Sequence, residues 1–209
     1  MRAVAQLVEV LAVVLRLKAR GETSEALREI DQALAGLLGL SSIESVSLDQ
    51  LLAVCPPDPG LSADPWILLA DILRERGELL LLHGNVGASQ FSYAMGLGLC
   101  LEKLHTGPIT VELIGKTDEL IALTGGARLP ASVLQRLFAY REAKGQLAKA
   151  EDVLFEWFEA GARIAHAAGL AFYDRLANSS DEELRQGGLS RAEVEQGREE
   201  WIKRLPRAS

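Results

Sequence analysis

A chain of 209 residues with 48% hydrophobic content is long enough to bury a substantial core. Its net charge of −7 and pI near 5.1 argue against a nucleic-acid binder, which gathers Lys and Arg on one face to neutralise phosphates. Aromatics make up only 5% while Leu, Ala and Glu dominate, and β-branched runs are few, which predicts an all-α fold.

In chain order, the first predicted helix runs from about Val4 to Ala19. Arg2 followed by a mostly apolar stretch superficially resembles a signal peptide, but Gln6 and Glu9 interrupt it and no small-residue cleavage site follows. Gly21 separates this helix from a second, about Ser24 to Leu38, with Thr23 or Ser24 as its expected cap and Gly39 as its stop. Ala33, Gly36 and Leu37 leave a thin stripe where another helix is expected to approach. Ser47-Leu48-Asp49-Gln50 has the form of a capping box before a short helix ending near Val54. The prolines of Cys55-Pro56-Pro57-Asp58-Pro59-Gly60 then make the clearest linker, because they remove donors and restrict their neighbours.

Asp64-Pro65 opens a helix through about His83, and its partner runs from about Val86 to Leu104. Gly96 and Gly98 inside that partner each cost about 1 kcal/mol relative to Ala, which implies close helix contact or, second, a groove for a ligand backbone. Thr106-Gly107-Pro108 begins a further helix to about Thr124, with Ile109 to Ile114 read as its start and not as a strand. Gly125-Gly126 ends it.

Leu134, Leu137, Phe138 and Tyr140 form one apolar helical face, Gly145 breaks the helix, and Ala150, Val153, Leu154, Trp157 and Phe158 form a second: a helical hairpin. The pattern continues through Ile164, His166, Leu170, Phe172, Tyr173 and Leu176, with Gly161 and Gly169 as turns or bends. Ser180-Asp181-Glu182-Glu183 caps a short helix stopped at Gly187-Gly188. Ser190-Arg191-Ala192-Glu193 caps a last one carrying Val194, Trp201 and Leu205, and a frayed tail is expected from Pro206.

Gly145, the small Ala150 and the large Leu154 stand where a tetratricopeptide repeat has its turn glycine, small residue and following apolar residue, and the hairpin resembles a degenerate copy of that repeat. Phe138 and Arg141 replace the family's usual Gly and Tyr, and no Pro closes the unit. The spacing recurs around Gly21, with Ala26, Ile30 and Ala33, and around Gly84, with Ser89, Tyr93 and Gly96. The glycines lie 63 and 61 positions apart, against a usual period of about 34, so other elements fill the intervals. The stretch from Phe172 to Trp201 also resembles the C-terminal part of an uncharacterised bacterial family of helical, tetratricopeptide-like proteins. These resemblances imply antiparallel helical hairpins stacked as a short right-handed superhelix. The expected organisation is one domain over 1–209: an N-terminal hairpin and short helix (1–55), a Pro-rich loop (56–63), central hairpins (64–178) and C-terminal capping helices (179–209).

Chemistry is sparse. The sequence holds no P-loop, dinucleotide glycine fingerprint, nucleophile elbow or HExxH. His83, His105 and His166 are dispersed, and the lone Glu102-x-x-His105 pair falls short of the two such motifs a bundle di-iron site uses. Asp118-Glu119, Glu151-Asp152 and Glu199-Glu200 point about 100° apart and read as solvated faces. Cys55 and Cys100 read as buried free thiols in a reducing, cytoplasmic compartment. No apolar run approaches the ~20 residues that span a bilayer. No cofactor, metal, catalytic residue, nucleic-acid or membrane partner is expected.

The function implied is a non-enzymatic interaction or scaffold module whose concave surface binds a peptide or protein, with homodimerisation through the first or last helix as another use. By resemblance, Arg76, Arg136 and Arg141 become candidate partner contacts at exposed positions, and Trp201 the tryptophan suspected of meeting another subunit. The competing reading is a small-molecule-binding regulator or enzyme with a pocket near the Gly96/Gly98 helix.

Overall fold

The structure is a computed structural model that describes residues 2–39, 43–44, 46–54, 64–161 and 163–204, without the side chains of 2 and 3. The linker at 55–63, with Cys55, and the tail from 205 lie outside the described residues. Among the described residues every regular element is a helix, as composition predicts. The chain divides into two compact units, Met1–Leu129 and Pro130–Ser209.

The first unit holds α1 (Arg2–Ala19), α2 (Thr23–Leu38), α3 (Leu48–Val54), α4 (Pro65–Leu82), α5 (Val86–Thr106) and α6 (Val111–Leu123). α4 is its centre, packed against α1, α2 and α5, and α5 in turn carries α3 and α6. That position explains why α4 is apolar almost all round: a helix with neighbours on several sides has little polar face to give. The α4–α5 pair approaches closely at Gly77, where an added Cβ would sit 2.3 Å from the Tyr93 ring, and Ser89 Oγ donates to the Gly77 carbonyl at 2.8 Å. Gly98 is filled from the other side by Leu48 of α3, and Gly96 lies against the Ala70 carbonyl. Protein therefore occupies the space beside both α5 glycines.

Local signals place most boundaries. Asp64 accepts from the N–H groups of Trp66 and Ile67, with Pro65 at the first helical position. Ser47 and Gln50 close their capping box, and Ser180–Glu183 and Ser190–Glu193 close theirs. Gly21, Gly84 and Gly145 all adopt positive φ, and in each case the next residue's N–H returns to the carbonyl five positions back. Two expectations fail. α2 begins at Thr23 behind Glu22, so neither Thr23 nor Ser24 caps it. At Gly36, where a close helix is expected, an added Cβ would meet nothing within 4 Å among the described residues.

The second unit holds α7 (Ala131–Ala143), α8 (Leu147–Glu159), α9 (Arg163–Ala177), α10 (Asp181–Gln186) and α11 (Arg191–Lys203). α7 and α8 form the anticipated hairpin, α9 packs on α8, and α11 returns onto α9. Phe138 of α7 meets Phe172 of α9 edge-on at 5.4 Å. The Ala148 N–H bonds the Gly187 carbonyl at 3.0 Å, so the end of α10 is tied to the first turn of α8.

Candidate functional site

Arg76, expected at the surface, is 3% exposed. It lies on α4 where α2 and α5 converge, and its guanidinium spreads in three directions. Nε donates to Asp31 of α2 at 2.7 Å, Nη1 to Ser92 of α5 at 2.8 Å, and Nη2 to Glu44 at 2.8 Å. The planar fork is suited to this, because its donors point apart in one fixed plane. Its neighbour Glu75 is also buried and is paired with Lys18 of α1 and with Arg74, while Lys18 also reaches Glu78. Burial works against the Lys18 ammonium, but the two carboxylates outweigh it and hold its pKa above the ordinary lysine value. These charges stitch α1, α2, α4 and α5 together. Lys116 of α6 joins Asp71 of α4 at 2.5 Å in the same manner.

Trp201 is likewise interior, at 0% exposure. Gly169 of α9, expected as a bend, lies inside the helix and offers a notch in which an added Cβ would stand 2.1 Å from the indole. Phe155 and Phe158 meet the indole edge-on at 5.1 and 5.3 Å, and its Nε1 donates to the His166 carbonyl at 3.0 Å. Next to it the Tyr173 hydroxyl donates to Glu151 at 2.5 Å. Burial pushes the Glu151 carboxyl above its ordinary value, with Asp152, Glu193 and Glu200 adding repulsion and the tyrosine bond opposing them.

A carboxyl whose folded pKa is raised contributes stability below its unfolded value, near 4.5, and loses that contribution as pH rises through the folded one. Glu151→Gln, which cannot ionise yet still accepts from Tyr173, is therefore expected to unfold at a higher midpoint than the parent at pH 7 and to differ less at pH 4. Thermal melts at the two pH values check this. A parent that gains relative stability on going from pH 4 to 7 contradicts the assignment.

The remaining candidates lie on α7. Arg136 is half-buried and donates to the Ser132 carbonyl at 3.0 Å, and Arg141, also half-buried, bonds Gln146 at the hairpin turn. Among the described residues no cluster of three His, Cys, Asp or Glu is placed to hold a metal ion, and no helix is long and apolar enough to cross a membrane. Cys100 is a buried free thiol, pushed up to about 12 by that burial, which keeps it protonated.

Sequence reasoning missed the apolar end of the α4–α5 hairpin. Leu81, Leu82 and Val86 are 50%, 70% and 55% exposed on either side of the His83–Asn85 turn. The signal was present: Leu79 to Leu82 is a run of four leucines, more than one helical face can bury. Leu79 and Leu80 enter the core and the last two do not.

The class these observations define is an all-helical protein built from glycine-turned hairpins, with the charges around α4 tied up in ion pairs. The chain belongs to a family of unknown function, DUF6483, whose profile matches residues 1–205. No curated protein and no solved structure matches it.

Proposed function

We propose that this protein is a non-enzymatic interaction module of the cytoplasm, built as stacked tetratricopeptide-like hairpins, that binds a protein or peptide partner. The observation that carries this reading is the apolar end formed by Leu81, Leu82 and Val86, beside which the turn is too short to cover them. The packing of α4 on both α1 and α2 is what successive hairpins of such a superhelix make, and the shared geometry of the three glycine turns supports it. The interior charges serve the fold: each one around α4 is matched by an opposite charge. Arg136 and Arg141 remain the candidate polar contacts, whereas Arg76 and Trp201 are committed to the interior.

Affinity capture from the producing cell, with the full chain as bait, tests the reading. Leu82→Ser with Val86→Ser removes exposed apolar area and is expected to change stability by no more than about 0.5 kcal/mol. Interface anchors carry about 2 kcal/mol or more each, so a partner enriched by the parent is expected to fall at least tenfold with the double variant. Equal recovery by parent and variant overturns the docking site.

A further inference from the structure

We propose that α1 is a self-recognition helix, pairing antiparallel with α1 of a second copy across a twofold axis. One side of α1 is spent: Leu7 and Val14 are buried against the rest of the first unit. The other side keeps a heptad pattern of exposed residues. Ala5, Ala12 and Ala19 are exposed and seven residues apart, and Val8 and Leu15, 47% and 48% exposed, are seven apart beside them. Glu9 and Arg16, also exposed and seven apart, flank the stripe on its other edge. In heptad terms the alanines hold position a, Val8 and Leu15 position d, and Glu9 and Arg16 position e.

An antiparallel pair sets a positions against d positions of the other helix, and e against e. In one register Ala12 faces Leu15 of the second copy and Val8 faces Ala19, each layer matching a small residue with a large one. The same register places Glu9 beside Arg16 of the second copy, and the twofold axis repeats that pair on the opposite end. One face is thus complementary to itself in both shape and charge, which is what an isologous interface requires. A parallel pair instead brings Glu9 and Arg16 toward Val4 and Leu11, and no opposite charges meet. Lys18, the other cation of the helix's last turn, does not compete, because it is held by Glu75 and Glu78. Alanine at a brings the two backbones close.

The test substitutions, at Glu9 and Arg16, leave Leu81, Leu82 and Val86 in place, so failure of this proposal is distinguishable from failure of the partner reading. Sedimentation velocity of the full chain across micromolar concentrations is the measurement, with circular dichroism confirming helicity of every variant. The parent is expected to show a concentration-dependent dimer. Glu9→Arg and Arg16→Glu each replace two attractive pairs with two repulsive ones, and each is expected to weaken the dimer at least tenfold. The double exchange restores opposite charges in the same register and is expected to recover most of the affinity. A parent that stays monomeric throughout, a dimer indifferent to both single exchanges, or a double exchange as weak as the singles overturns the proposal.

Discussion

Trp201→Ala is expected to destabilise the second unit by about 3–5 kcal/mol, the range for deleting a large buried aromatic from a core that cannot fully collapse. The indole is walled by Phe155, Phe158, Tyr173 and His166, and its notch in α9 exists only because residue 169 has no side chain. The alanine variant leaves that notch empty and removes the indole's hydrogen bond to the His166 carbonyl. Gly169→Ala attacks the same contact from the opposite helix, since its Cβ overlaps the ring. α11 also approaches α9 at Gly197, where a Cβ would lie 2.7 Å from the Tyr173 hydroxyl, so the elements have no slack to close the cavity. Urea unfolding gives the magnitude, and native mass spectrometry gives the oligomeric state. An interface anchor shows the reverse pattern, with assembly lost at an unchanged urea midpoint.

Arg76→Met is expected to cost about 2–4 kcal/mol. Removing one partner of a buried ion pair costs about 3–5 kcal/mol, but Asp31 and Glu44 are near enough to the surface to regain water when the guanidinium goes. Methionine keeps the apolar stem packed, so the loss reports the three polar contacts. Arg76→Lys is expected to recover less than half, because a single ammonium cannot address Asp31, Ser92 and Glu44 in three directions at once. Hydrogen exchange resolved to peptides of α2, α4 and α5 checks the result: faster exchange in all three identifies the guanidinium as their common tie. A partner-contact role instead predicts unchanged exchange in the free protein.

These two residues also show where sequence reading stops. Averaged over proteins, a charged residue is exposed and tryptophan is enriched at interfaces. Arg76 departs from the average because its partners lie 45, 32 and 16 positions away, on α2, near its end, and on α5, and no spacing within α4 announces them. Trp201 departs because its acceptor is 35 positions back, in a helix whose Gly169 looked like a bend. The exposed leucines at 81 and 82 and the heptad on α1 were written in the sequence, but an apolar residue does not say whether its own fold will cover it.

What the sequence determined by itself is what local chemistry controls. The left-handed turns at Gly21, Gly84 and Gly145, the Asp64-Pro65 start, the three capping boxes and the helical register between them depend on residues within one turn of each other. Tertiary structure alone decided which faces those helices bury. Whether Gly98 faces a ligand or Leu48, whether Arg76 meets water or Asp31, and whether Val8 meets a neighbour or solvent are set by which helices arrive beside them. That is a long-range outcome of packing the whole unit, in which each helix gains stability only by covering another, and no single helix encodes it.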